Sequence, residues 1–370
     1  MEHYMSRYQV ILKTPSGLEV KRLTKFNMLS CGRADKAIQP CEIRIPMTLP
    51  ASFFTKDMIM EVWRDNGDGS ISLDGETAYF LRNWEFYRDN NGKDYIYLYG
   101  LDSNYILDGR EVEYAAESSQ ATKSGVACDV IKEIIDENFV SSTDTDRNIS
   151  SSYFTIDSDD GFGASVTKAF SRQYVLSTIQ SLVDQSRNAG TWVTFDVEYD
   201  GSYPFTFKTY LDQRGDDLTD TVIVSVEANT LTQPKLRWSY ANEKTAAYMA
   251  GIGDKESRLV GSATSTNIDD SIWSRREVVS ENFQVVSETL LDNEARELLE
   301  KNKGMLTLTG KIGSTKGLQY GRDWNYGDKI RATYLDNTFD CRISAYSILY
   351  GNDGSNNVDT VTAYIYGEDE

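Results

Sequence analysis

The chain has one histidine, His3, close to the amino terminus, in a sequence of 370 residues. Triads and metal sites built around imidazole therefore lack their central residue. Cysteine is nearly as scarce: Cys31, Cys41, Cys128 and Cys341 form no CxxC pair and have no histidine neighbour, which argues against a zinc site, a redox dithiol or a disulfide scaffold. Buried small hydrophobes are the expected role for all four. No stretch of 18 apolar residues occurs, and Met1 to Tyr8 lack the apolar core of a signal peptide, so neither membrane insertion nor signal-directed export is expected. Positive charge is in deficit: 38 Lys and Arg against 57 Asp and Glu give a net charge of −19, which opposes general affinity for nucleic acid. The acidic residues are scattered and suit a solvated surface.

What remains is rich in strand formers. With 23 Tyr against 6 Pro, the composition favours sheet. From Tyr8 to Gly100, short runs at Tyr8 to Leu12, Glu19 to Leu23, Glu42 to Met47, Met58 to Arg64, Thr77 to Arg88 and Asp94 to Tyr99 predict strands. They are separated by turn residues at Pro15 to Gly17, Asp65 to Gly69 and Asn90 to Gly92. A barrel or compact sandwich is the economical way to close so many short strands.

Beyond Asp102 the period changes. Ala127, Val130, Ile131, Ile134 and Ile135 make one apolar helix face, with Ser124 placed as its cap; Val175, Ile179, Leu182 and Val183 make a second, ending before Asn188 to Gly190. The polar segment from Ser141 to Asp160 between them predicts a long exposed loop or an insertion. Val193, Phe195, Val197 and Tyr199 then alternate, Asp200 and Gly201 turn the chain, and Tyr203, Phe205 and Phe207 return it as a hairpin. From Leu236 strands dominate again, interrupted by Leu291, Ala295, Leu298 and Leu299 at helical spacing with Gly304 as the stop. Strands at Lys329 to Tyr334, Asp340 to Tyr350 and Val358 to Tyr366 follow, with turns at Asp336-Asn337 and Gly351 to Ser355. The expected class is β-rich α+β, with two tube-like β-barrel domains and an intervening α/β region. The boundaries fall at 1–110, 111–235 and 236–370, the last with an inserted helix at about 289–303.

No catalytic, cofactor-binding or metal-binding residue is assigned. Asp65 to Ile71 resembles part of a calcium loop, but Arg64 and Gly75 stand where the first ligand and the bidentate Glu belong, so a hairpin turn is expected. Gly251 to Glu256 begins like a dinucleotide fingerprint but has Glu256 at the third glycine position, which leaves a turn. Asp157 to Gly161 is an acidic loop without a distant carboxylate. Trp63, Phe80 and Tyr97 alternate along strands and suit a core or an interface better than a sugar platform.

Several segments, in order, resemble the siphophage tail-hub family, the baseplate hub or tail-associated lysin amino-terminal regions. They are Gly100 to Arg110, the helix at Gly125 to Asn138, Arg172 to Ala189, Asn242 to Arg258, Tyr326 to Ile330 and Cys341 to Ser344. The resemblance implies a non-enzymatic virion protein at the distal end of the tail, assembled in the host cytoplasm. It also implies a homotrimer whose paired barrels match a six-fold tube to a three-fold tip. The partners implied are tail-tube and distal tail proteins, tip, fibre or receptor-binding proteins, and the tape-measure protein, with no cofactor, no sequence-specific nucleic-acid binding and no membrane insertion. Because the chain stops at Glu370, the lysin or fibre domain of longer relatives is expected on a separate protein. Interface strands are expected at Val10 to Leu23, Val62 to Arg88 and Lys329 to Tyr364, and part of the acidic charge is expected to line a DNA channel. The alternatives are a cell-wall glycan hydrolase with paired carboxylates in a cleft of the middle region, and a carbohydrate-binding adhesin.

Overall fold

Alternation of buried and exposed side chains organises the first hundred residues: Pro40–Pro46 and Asp94–Leu101 each turn every second residue into the core. The computed structural model describes residues 7–66, 70–113, 121–158, 161–170, 173–189, 191–283, 285–312, 318–335, 337–352 and 357–367. Strands make up 43% of the chain and helices 20%, a β-rich α+β fold.

The expected early strands are present, joined by two more, Met28–Ala34 and Ile71–Leu73. Gly17 and Gly92 take φ of 89° and 77° in their turns, a region open to glycine at little steric cost. Strands from both ends of the chain then form one sheet. Its main path runs from Leu231–Ser239 through Met305–Ile312, Asn357–Gly367, Asn337–Asn352, Met28–Ala34, Pro40–Pro46, Asp94–Leu101, Tyr79–Arg88, Ile59–Asp65 and Tyr8–Lys13 to Glu19–Leu23. The seam between the two ends is antiparallel, with Ser347 opposite Gly32 and Ile348 opposite Cys31. One core continues beneath it, from Tyr8 and Val10 to Ala363 and Ile365. No closed barrel is detected among the described residues.

The middle of the chain builds a second core. Helix α1 (Ala127–Ile135) and helix α2 (Val175–Asn188) bury their apolar faces against the hairpin Val193–Glu198 and Phe205–Leu211. Two expectations are corrected here. Ser124 does not cap α1: it lies in strand Ala121–Val126, where its hydroxyl is 2.8 Å from that of Thr167, and the cap position is Val126. The segment from Ser141 to Asp160 is not simply an exposed loop. Ser142 N–H donates to Asn148 Oδ1 (2.7 Å), and strand Phe154–Ile156 buries Phe154 beside Phe205–Leu211. Its polar side chains satisfy their own backbone, a local alternative to helix or sheet.

A third, small core lies under helix α3 (Glu288–Lys301), which covers one face of the sheet Val260–Thr264, Ala246–Ala250, Glu277–Glu281. All four cysteines are buried, and none is in a disulfide among the described residues. Gly251 to Glu256 forms a turn, with Gly253 at φ 107°. Residues 67–69 of the first acidic turn, 114–120, Asp159, Asp160, Arg172, Gly190, Asp336 and 353–356 lie outside the described residues.

Candidate functional site

The parts of the chain are joined by buried charge. Arg33, fully buried on the seam strand, donates to Asp196 on strand Val193–Glu198 and to the carbonyl of Gly75 (3.0 Å). Asp196 also faces Arg214 (3.0 Å), which reaches Glu198 (2.7 Å) and Glu76 (2.6 Å). Asp102 lies 3.9 Å from Arg33 and accepts from the backbone N–H groups of Gln39 and Asn104. Burial outweighs Arg33 here and pushes the Asp102 carboxyl up to about 7; burial likewise raises Asp196 despite its two arginines. A second lock joins Lys13 to Glu61, whose other neighbours are the hydroxyl of Tyr199 (2.8 Å) and the indole of Trp63 (2.9 Å). These groups hold segments together; Asp102, Asp196 and the also buried Asp74 do not line the cleft beside Trp192.

The strands expected to form interfaces differ in what they leave open. Glu19–Leu23 is a free edge of the large sheet, with four of its five residues exposed. Ile59–Asp65 and Lys329–Tyr334 are bonded on both sides and offer faces, whereas Tyr79–Arg88 pairs along its length with Asp94–Leu101 but with Ile59–Asp65 only at Tyr79 and Phe80, which leaves its later residues an open edge among the described residues. Leu231–Ser239 ends the main path on the other side, and the branch strands Ile71–Leu73 and Ile223–Ser225 are likewise paired on one side among the described residues. Unpaired edges are templates for a further strand.

An exposed apolar surface lies on the small sheet. Ala247 and Met249 point to α3, so alternation sends Tyr248 and its neighbour Val279 to the opposite face, together with Val260 and flanked by Glu277, Glu281 and Ser262. Val279 is 68% exposed, and Phe283, exposed nearby, has the Arg258 guanidinium 5.2 Å above its ring. Ile272 and Trp273, 88% and 75% exposed, occupy the loop before Glu277–Glu281. The sequence signal for this surface was the Val278-Val279 pair between glutamates, which alternation alone assigns to two faces.

A cleft of about 660 Å³ is bordered by the turn at Asp35 and Lys36, the last turns of α2 and α3, Trp192 and strand Asn337–Asn352. Arg187 and Arg342 lie over the Trp192 ring, 3.7 and 4.4 Å from its centre. Arg187 also bonds Asp35 (2.9 Å); burial pushes that carboxyl up, but Arg187, Lys36 and the Thr194 hydroxyl more than reverse it and hold it below its ordinary value. No group of three or more metal-ligating side chains is found among the described residues.

Residues 24–362 match the family described as siphovirus ReqiPepy6 Gp37-like protein. The chain belongs to this family. The siphophage tail resemblance drawn from its segments is therefore met at the level of the family. No curated protein matches it. Among solved structures it is similar to the tail protein from Neisseria meningitidis MC58, at 11% identity and TM-score 0.58, covering 98% of this chain and 97% of that one. It is similar to the 43 kDa tail protein of prophage MuSo2 from Shewanella oneidensis, at 12% and 0.59, covering 97% and 98%. A third is the prophage tail protein gp18 from Listeria monocytogenes EGD-e, at 14% and 0.52, covering 98% and 95%. At such identities the likeness establishes the shared fold.

Proposed function

We propose that the Gp37-like chain is a structural hub of a siphophage tail tip, closing the tail tube as a homotrimer and anchoring distal tip or receptor-binding components. The observation that carries this reading is the family match over 24–362 in a chain whose two ends share one sheet with free edges at Glu19–Leu23 and Leu231–Ser239. Edges of this kind allow heterologous contacts to repeat around a ring, and rotational closure stops the assembly at a fixed number of copies. The segments 1–110, 111–235 and 236–370 are proposed as its domains, the first and last contributing tube-like barrels, so that three chains present six to the tube above. Tail-tube, distal tail and tape-measure proteins are its proposed neighbours.

The exposed apolar residues around Val279, set among Glu277, Glu281 and Ser262, support assembly rather than a free monomer, because an apolar centre with a polar rim suits an interaction site. The net charge of −19 supports a channel wall that repels passing DNA. Light scattering of the purified protein, alone and mixed with the tail-tube and distal tail proteins, tests the reading. A trimer of roughly 125 kDa, or a ring containing three copies, is expected from closed three-fold symmetry. A monomer that ignores both partners overturns it.

A further inference from the structure

Residues 240–304 interrupt a pair of bonded strands. Leu231–Ser239 and Met305–Ile312 run antiparallel with Ser239 opposite Met305, so the chain leaves the large sheet at Ser239 and rejoins it at the facing position. What lies between has its own core. Ala247, Met249, Leu291, Ala295 and Leu299 pack together there, and Ala169 is the one buried member from elsewhere among the described residues. The three strands of this part bond to one another and form a sheet separate from the large one.

Its two connectors lie side by side. Lys244 N–H donates to the Asn302 carbonyl (2.9 Å), and the Tyr240 ring packs on Gly304, where a Cβ would fall 2.6 Å from it. Beyond the connectors, α3 meets α2 and strand Ser165–Phe170. Polar groups mark that contact: Lys168 and Gln185 both bond Glu297, while Ala169 joins the third core. A boundary that is not large and apolar leaves the parts on either side able to move.

The cleft beside Trp192 lies on the same boundary. Asp35, Lys36, Asp184 and Arg187 belong to one wall, and Glu300 and Lys303 to the other. The ion pairs stay within a wall: Lys36 with Asp184, Arg187 with Asp35, Lys303 with Glu300. None of these six side chains forms an ion pair across the gap among the described residues. Lys303 Nζ does reach over, to 6.0 Å from the centre of the Trp192 ring. Each wall is satisfied by itself, so parting them strands no charge.

We infer that residues 242–303 are an inserted domain that swings as a body on its paired connectors, with Glu297 as the latch and the Trp192 cleft as the gap that widens. Opening returns Lys168, Gln185 and Glu297 to water together, so their hydration offsets the bonds lost, and the domain keeps its core. The hinge belongs to the single chain and does not depend on tail assembly.

Thiol labelling of the folded full chain with an excess of an aromatic disulfide reagent tests the hinge, with the wild type, whose four cysteines are buried, as background. Ala169→Cys and Gln185→Cys place a thiol on each of the two elements that the domain covers, and Ala295→Cys places one inside the domain's own core. The first two are expected to label at least about tenfold faster than Ala295→Cys, with little acceleration by urea below the unfolding transition, because a swing exposes little new surface. Equal rates at all three sites overturn the inference, since they mean exposure by unfolding alone. Fast labelling at only one of Ala169→Cys and Gln185→Cys also overturns it, in favour of local fraying, as does a urea dependence as steep as that of Ala295→Cys. Where Ala169→Cys or Ala295→Cys melts below the wild type, Gln185→Cys read against the native cysteines decides alone.

Discussion

Lys168 and Glu297 form an ion pair of 3.0 Å almost out of contact with water, joining strand Ser165–Phe170 to helix α3. Gln185 of α2 donates to the same carboxylate, so three elements converge on Glu297. Deleting one partner strands the other's charge in the interior. Glu297→Leu is therefore expected to cost about 3–5 kcal/mol, whereas the double change Lys168→Met with Glu297→Leu is expected to cost less than the sum of the two singles, keeping about 1–3 kcal/mol for the Gln185 amide left unpaired. Urea unfolding of the two singles and the double measures the difference; additive losses would show that the pair is not coupled.

The Asp102 carboxyl gives the junction a pH dependence of defined sign. Its folded pKa, about 7, lies above the ordinary carboxylate value because burial outweighs Arg33. The native state therefore holds a proton that the unfolded chain has released, and stability falls as pH rises from about 4 to 7, by at most about 1.4 kcal/mol per pH unit for this group. Raised Asp196 acts in the same direction; Asp35, held below its ordinary value, acts oppositely in more acidic solution. Asp102→Asn is expected to flatten the loss between those pH values. Unfolding midpoints at pH 5 and pH 8 that shift equally in both proteins would refute it.

The outer face of the small sheet gives a test of assembly that leaves the fold alone. Val279 is 68% exposed and lies opposite the face covered by α3, so Val279→Glu removes no core contact. Its cost in stability is expected within about 0.5 kcal/mol. Sedimentation at rising concentration is expected to show weaker self-association than the wild type. Equal association would assign this face no role between copies.

The parts of the fold that follow from local period were legible in the sequence. The faces of α1 and α2 and the hairpin around Gly201 need only neighbours in the chain, and they stand where Val130, Ile131, Leu182 and Phe195 put them. The strand Met28–Ala34 was not legible, and the sheet's continuity depends on it. It carries Gly32 and Arg33, which lower any strand signal, and each is there for a partner hundreds of residues or a domain away: Gly32 for Ser347, Arg33 for Asp196. The cleft was hidden for the same reason. Trp192, Arg187 and Arg342 come from separate segments, and nothing in their local sequence announces that two guanidiniums share one indole.

Gly32 makes that long-range dependence testable. A Cβ built at this position falls 2.1 Å from the Tyr346 carbonyl oxygen and 2.9 Å from Ser347 Cα, both backbone atoms of the facing strand, which cannot rotate away. The Gly32 carbonyl also accepts from the buried Tyr79 hydroxyl (3.0 Å), so the strand cannot retreat without breaking that bond. Gly32→Ala is expected to push the seam between the two ends of the chain apart, costing at least about 1–3 kcal/mol. Gly351→Ala, on the partner strand, meets only Asn27 O at 3.6 Å, an ordinary contact, and serves as the control. Thermal melts with hydrogen exchange at Ser347 to Leu349 read the seam directly: a Gly32→Ala protein as stable and as protected there as the control would mean that the two ends of the chain do not meet at this register.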